Sequence, residues 1–107
     1  MTENYTHIVD IAREIDPPET GIDTKVLFES EQVKVVLFGF GANEELSEHS
    51  ASVPVILHFV KGEAGLTLGT ESIQAATGAW IHVPADLKHS VKTESPVIML
   101  LMMLKNK

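Results

Sequence analysis

The sequence predicts a single all-β domain. Short apolar segments rich in β-branched and aromatic residues recur along the 107-residue chain, and turn sequences such as Lys61-Gly62-Glu63 and Thr77-Gly78 separate them. No apolar repeat of helical period extends beyond about two turns, the best candidate being 8–15. Regularly spaced short strands are typical of a β-sandwich or a β-barrel.

The first 24 residues form the least regular part of the chain, and we treat them as an N-terminal extension. Ile8, Val9 and Ile11 could form a first strand, and a short helix over 8–15 is the open alternative. The following residues, 16–21, contain two prolines and a glycine and predict a loop. Residues 25–107 form the predicted barrel domain.

From residue 25 onwards the strand pattern is continuous. Segments 26–28 and 33–38 flank the polar turn 29–31 and predict a hairpin. A polar stretch, 42–52, then precedes a strand-like segment over 53–60. The remaining predicted strands are 65–68, 72–75, 79–83, 89–92 and 97–104.

Composition excludes several classes of function. The chain has 8 Lys and Arg against 15 Asp and Glu, a net charge of −7, and Arg13 is its one arginine, so we expect no nucleic-acid partner. It has no cysteine, which excludes thiol catalysis and cysteine-bound zinc. The N-terminus shows no secretory signal, and the longest apolar run is far shorter than the ~20 residues of a membrane-spanning helix. We therefore expect a cytoplasmic protein with no membrane partner.

Two of the predicted strands are apolar at almost every position, namely 53–60 and 97–104. A sheet with one face in water should alternate between apolar and polar residues, so continuous apolarity indicates that both faces are covered. We expect a second subunit to supply this cover in a homodimer. The alternative is that residues 1–24 fold over the outer face.

Two sequence motifs resemble those of the cupin family, specifically its small single-domain members with an RmlC-like jelly roll. The first cupin motif, G-x5-H-x-H-x3/4-E-x6-G, matches the frame from Glu48-His49 through Val55 to Gly62. The second, G-x5-P-x-G-x2-H-x3-N, matches 78–89, with Gly78, Pro84 and His89 in register. The resemblance covers 26–104 and implies a double-stranded β-helix, or jelly-roll cupin barrel.

The resemblance also implies where a metal would bind. The first metal-binding histidine of the family falls on His49, and the last falls on His89. The family's second histidine and its glutamate are replaced by Ala51 and Val55, and its final asparagine by Thr93. Two imidazoles alone make a poor metal site.

Three further residues are candidates for the pocket: His58, Trp80 and His82. On a regular strand His82 shares a face with Trp80, but alternation does not say which face is inward. His58 has the opposite parity to Val55, which places it outside the barrel unless a bulge intervenes. The predicted pocket residues are His49, His58, Trp80, His82 and His89, and the predicted metal ligands are His49, His82 and His89.

Two functions follow from these residues. The first is a module that binds a small molecule in the barrel mouth, with a degenerate or absent metal site. The alternative is a metal-dependent enzyme of dioxygenase or isomerase type, with zinc, nickel, manganese or iron held by histidines alone. A purely structural interaction protein would leave the histidines without a role. No phosphate-binding glycine loop precedes a helix, so we expect no nucleotide or other organic cofactor.

Overall fold

The computed structural model describes residues 4–105, and the structure there is almost wholly β. One turn of 3-10 helix, Ile11–Arg13, precedes nine strands within this range. The strands are β1 (Ile22–Glu29), β2 (Val33–Phe40), β3 (Glu45–His49), β4 (Val55–Lys61), β5 (Ala64–Leu68), β6 (Glu71–Ala75), β7 (Trp80–Val83), β8 (His89–Thr93) and β9 (Val97–Leu104). This confirms the all-β prediction. No helix of these residues has the length and apolarity needed to cross a membrane.

The strands form two antiparallel sheets that face each other. The five-stranded sheet has the order β1-β2-β9-β4-β7, and the four-stranded sheet has the order β3-β8-β5-β6. After β2 the chain changes sheet at every connection except the β5–β6 hairpin. This topology is the predicted jelly roll, in which long-range strand pairs close the barrel.

Apolar side chains fill the space between the two sheets. Phe40, Leu66 and Met99 are among the largest fully buried side chains. β4 shows how a strand divides its residues between two faces. Val55, Leu57 and Phe59 are at most 2% exposed and point inward, whereas the residues between them are only partly buried. The core therefore occupies the barrel interior.

Both faces of β9 are covered along its first five residues, whereas its last three are only partly buried. It lies at the centre of the five-stranded sheet, between β2 and β4. Val97, Met99 and Leu101 belong to the interior cluster, whereas Ile98 and Leu100 belong to a second buried cluster on the outer face of the sheet. The continuous apolar pattern thus reflects a central strand.

The N-terminal extension supplies part of that outer cover. Ile11 and Ile15 pack against the outer cluster, and the 3-10 helix contacts β4. The prediction of a first strand around residues 8–11 is wrong. Instead, the Asp10 carboxylate accepts a hydrogen bond from the Ala12 amide at 3.1 Å and caps a single 3-10 turn. The alternative helix over 8–15 is likewise reduced to this one turn.

A buried threonine fixes the loop that precedes β3. Thr93 is 1% exposed, and its hydroxyl donates to the Gly41 carbonyl at 2.8 Å while it accepts from the Glu44 amide at 3.1 Å. The Thr93 amide also donates to the Glu44 carbonyl at 2.8 Å. These bonds hold the start of β3 beside the end of β8, which are the two strands that carry His49 and His89.

Candidate functional site

His49 and His89 lie side by side on neighbouring strands of the four-stranded sheet. They are direct cross-strand partners of β3 and β8, and their ring centroids are 4.3 Å apart with the ring planes tilted by 54°. Their neighbours in register, Leu46 on β3 and Val91 on β8, pack in the interior cluster. The resemblance assigned both histidines to one metal site and thereby implied that they approach each other, and the structure confirms this approach.

Both imidazoles are held by the backbone in the same way. Nδ1 of His49 lies 2.8 Å from the Ser47 carbonyl oxygen, and Nδ1 of His89 lies 2.8 Å from the Leu87 carbonyl oxygen. Because a carbonyl can only accept a hydrogen bond, each Nδ1 carries the proton and donates it. In the neutral ring this leaves Nε2 unprotonated, with its lone pair available.

The pair spans the boundary between solvent and core. His89 is 3% exposed, whereas His49 is an exposed residue. Nevertheless no buried side-chain nitrogen or oxygen of residues 4–105 lacks a hydrogen-bond partner. The His89 ring is therefore packed on its faces while its Nε2 keeps contact with solvent, so the pair lies at the rim of the barrel.

The two other positions that the resemblance assigns to metal ligands are apolar. Val55 is 2% exposed and pairs with Val83 on β7 and Met103 on β9. Ala51 packs against the interior cluster, and its carbonyl accepts a hydrogen bond from the Asp86 amide at 2.7 Å. Neither position offers a side-chain donor atom.

The structure places His82, His58 and Trp80 away from this pair, on the outer face of the other sheet. His82 is the cross-strand partner of Ile56, and His58 is the partner of Trp80. These positions alternate with the buried Val55 and Leu57, so their side chains point out of the barrel. The three residues therefore do not line the interior, which corrects their assignment to the pocket.

Each of these three side chains has an ordinary structural setting. His58 is half-buried and its Nδ1 lies 3.2 Å from the Ala79 carbonyl oxygen. Trp80 is 58% exposed and His82 is also exposed, both on the edge strand β7. No bulge interrupts β4 between Val55 and His58, so the side chains alternate regularly. His58 therefore points outward, as its parity relative to Val55 predicted.

The residues present do not fit a metal centre held by the protein alone. His49 and His89 supply two nitrogen donors, and His82 lies on the outer face of the opposite sheet. Among residues 4–105 no three His, Cys, Asp or Glu side chains come close enough to hold one ion. Zinc sites in proteins use at least three such ligands. The expected His49, His82 and His89 set is therefore not formed.

Two cavities lie on the outer face of the four-stranded sheet, where the sequence predicted none. Their volumes are about 210 and about 450 Å³, and both are lined by Gly65, Gln74 and Lys92. The larger one is also lined by Thr67 and Ser90, whose hydroxyls hydrogen-bond to each other. The sequence feature that could have indicated these cavities is the alternation along β5, where small or polar residues stand between the buried Ala64 and Leu66 and after them.

Comparisons with known proteins agree with this architecture. No protein-family model matches the chain, and no curated protein matches its sequence. Among solved structures, a cupin superfamily protein from Desulfitobacterium hafniense superimposes with a TM-score of 0.87 at 23% identity, covering 96% of this chain and 94% of the other.

Two further crystal structures show the same likeness. A conserved protein of unknown function from Streptococcus pyogenes matches with a TM-score of 0.84 at 20% identity, over 98% of this chain and 92% of the other. An RmlC-like cupin from Desulfovibrio desulfuricans matches with a TM-score of 0.83 at 22% identity, over 94% of this chain and 97% of the other. This chain therefore forms one small barrel with the cupin fold.

Proposed function

We propose that this protein binds a small molecule at the rim of the barrel through Nε2 of His49 and Nε2 of His89. The observation that carries the proposal is the pairing of the two rings at 4.3 Å, with each Nδ1 fixed to a backbone carbonyl. Imidazoles that are already oriented lose little conformational freedom when they bind a ligand.

The chemistry of the rim selects the class of ligand. Two unprotonated Nε2 atoms are hydrogen-bond acceptors, so they suit a ligand that presents hydroxyl or amine donors. Glu45 and Glu48 are exposed on the same strand as His49, and the chain carries a net charge of −7. Acidic surroundings disfavour anions. We therefore propose a neutral or cationic ligand with adjacent donor groups.

The filled interior limits where the ligand can sit. Phe40, Leu57 and Phe59 are at most 1% exposed and occupy the space between the sheets. A ligand of more than a few heavy atoms would therefore lie over the rim, with His89 beneath it and exposed His49 beside it.

Binding can be tested by nuclear magnetic resonance with a library of small polyols, amines and amino alcohols. We expect members of this library to shift the Nε2 resonances of His49 and His89 while the His82 ring stays unchanged. His49→Ala and His89→Ala should each weaken binding at least tenfold, and the matched control His82→Ala should leave it unchanged. Binding that is unchanged in both His49→Ala and His89→Ala would contradict the proposal. A library in which no compound shifts the Nε2 resonances of His49 and His89 would contradict it as well.

The same protein can be tested for the alternative metal-dependent function. A metal ion at a hundredfold excess over its Kd raises the melting temperature of a domain of this length by roughly 10 °C. Two donors bind a metal only weakly, so ordinary metal concentrations do not reach that excess over Kd. We therefore expect zinc, nickel, manganese and ferrous iron to give much smaller shifts on chelator-treated protein. A shift near 10 °C that is lost in His89→Ala and kept in His82→Ala would replace the proposed function with a metal-dependent one.

A further inference from the structure

The outer face of the four-stranded sheet carries a groove centred on Gly65. Gly65 on β5, Lys92 on β8 and Gln74 on β6 form one cross-strand row, and all three line both cavities of this face. A Cβ on Gly65 would meet only ordinary contacts, with the Gln74 Oε1 at 3.7 Å and the Lys92 carbonyl oxygen at 3.9 Å. The two cavities therefore adjoin over bare backbone. The larger one, of about 450 Å³, has the size of a ligand pocket.

The groove is separate from the histidine pair at the rim. Ser90 and Lys92 alternate along β8 with His89 and with the core residue Val91. Because successive side chains of a strand point to opposite faces, the groove and His89 lie on opposite sides of the same sheet. A ligand in the groove would therefore occupy a site distinct from the one proposed above.

The larger cavity offers a hydroxyl proton that the protein itself does not use. Thr67 and Ser90 are cross-strand partners, and their hydroxyls hydrogen-bond to each other. Two hydroxyls carry two protons, and the bond between them uses one. Within residues 4–105 neither hydroxyl has a second partner, and Ser90 is only 9% exposed. The remaining proton is thus left for an acceptor in the cavity, which the Ser72 hydroxyl and the Gln74 amide also line.

The smaller cavity is acidic. Glu63 and Glu94 line it together with Lys92, so carboxylates outnumber ammonium groups by two to one. Both glutamates are exposed, and no ion pair of residues 4–105 includes either of them. Carboxylates in excess attract a positively charged group. This end of the groove therefore suits a protonated amine.

We propose that this groove binds a saccharide that carries a protonated amine. The amine lies at the end formed by Glu63 and Glu94, and the sugar ring lies over Gly65. Sugar hydroxyls both donate and accept hydrogen bonds, so they take the unused proton of the Thr67 and Ser90 pair. A neutral sugar would leave the acidic end empty, and a simple alkyl amine would leave the hydroxyl-lined cavity empty. A ligand with both groups satisfies both halves of the groove.

Three probes test this ligand class by nuclear magnetic resonance: the glucosamine disaccharide, cellobiose, in which hydroxyls replace the amines, and putrescine, which has amines but no ring. We expect the glucosamine disaccharide to shift the backbone amides of Gly65, Thr67 and Ser90 and to bind at least tenfold more tightly than the other two. Equal affinity for cellobiose would overturn the role of the amine, and equal affinity for putrescine would overturn that of the ring. Shifts confined to His49 and His89 would overturn the groove itself.

Gly65→Val tests whether the ligand lies over the bare backbone. The new side chain fills the groove, and a β-branched residue suits a strand, so we expect a folded protein that binds the glucosamine disaccharide at least tenfold more weakly. The matched control Thr24→Val, at an exposed position of β1 on the other sheet, should bind as the wild type does. Circular dichroism checks that both variants are folded. Unchanged binding in folded Gly65→Val would overturn the proposal.

Glu94→Gln tests the acidic end without altering the sheet, because Glu94 is an exposed loop residue. It should weaken binding of the glucosamine disaccharide at least threefold, whereas the control Glu31→Gln, in the turn between β1 and β2, should leave it unchanged. His49→Ala removes half of the rim pair and should leave the shifts at Gly65 intact, so failure of the rim site and failure of the groove are distinguishable. Unchanged affinity in Glu94→Gln, or loss of the Gly65 shifts in His49→Ala, would overturn the proposal.

Discussion

His49 and His89 are cross-strand partners, but they differ in burial: His89 is 3% exposed and His49 is exposed. One imidazole therefore belongs to the packed structure and the other to its rim. Both donate through Nδ1 to a carbonyl two residues earlier in the chain. The pair thus combines a rigid member with an accessible one.

This difference predicts unequal effects on stability. His89→Ala removes a packed ring and leaves the Leu87 carbonyl without its donor, so we expect a loss of about 2 kcal/mol in the free energy of unfolding. His49→Ala should cost less than about 0.5 kcal/mol, because exposed side chains contribute little. Urea denaturation monitored by tryptophan fluorescence measures both. Equal losses would contradict the assigned burial.

The apolar interior at Val55 predicts a strong response to a polar replacement. Val55→Glu would bury a carboxylate among apolar side chains, and we expect it to cost at least about 3 kcal/mol or to prevent folding. Val55→Thr keeps the shape and adds one hydroxyl, so it should fold with a loss of about 1–2 kcal/mol. Val9→Thr, at a position 86% exposed, is the control and should be neutral. A Val55→Thr variant as stable as the wild type would show that this position is hydrated.

Two glycines with similar backbone angles should differ in how well they tolerate replacement by alanine. Gly62 has φ of +90° and Gly78 has φ of +95°. A Cβ at Gly62 would lie 2.6 Å from the Pro96 carbonyl oxygen, whereas a Cβ at Gly78 would meet nothing within 4 Å. Gly78→Ala should cost only about 1 kcal/mol for the left-handed backbone. Gly62→Ala should cost about 3 kcal/mol or more, because the backbone must also move. Thermal melting of the two variants compares them directly, and equal melting temperatures would contradict the tight turn at Gly62.

An ion pair near the chain end predicts a change in one acid's titration. The hydrogen bond from the Lys105 ammonium, at 2.7 Å, lowers the pKa of Glu29, with smaller help from the charges of Lys105 and Lys34. Lys105→Ala should raise the pKa of Glu29 towards its ordinary value. A ¹³C titration of the side-chain carboxyl measures this change. Lys61→Ala is the control and should leave the Glu29 titration unchanged.

The same pair gives a direction for stability against pH. Because the folded pKa of Glu29 is lowered, its stabilising effect is present above the ordinary pKa and disappears as the pH falls through the lowered value. The difference in stability between the wild type and Lys105→Ala should therefore shrink in acid. A difference that grows on acidification would contradict the ion pair.

Some features of the fold follow directly from residue types along the chain. Gly62 and Gly78 lie in turns between strands, as their turn sequences predicted, and both have positive φ. The resemblance to the two cupin motifs implied that His49 and His89 lie on neighbouring strands, and the structure shows them as cross-strand partners. The N-terminal extension was different: its apolar residues fit either a strand or a helix, and the Asp10 cap produced one 3-10 turn.

The sequence by itself determined the all-β class and most strand segments, because turn chemistry and side-chain alternation are local properties. It missed β3, whose residues are mostly polar and exposed. The approach of His49 to His89 was implied only by the resemblance to the cupin motifs. Only the tertiary structure decided that Trp80 and His82 point outward, since alternation defines two faces but does not say which one meets the core. It also decided that β9 is apolar on both sides because it is a central strand partly covered by Ile11 and Ile15. Which face is buried depends on contacts between residues far apart in the chain, and no local pattern contains that information.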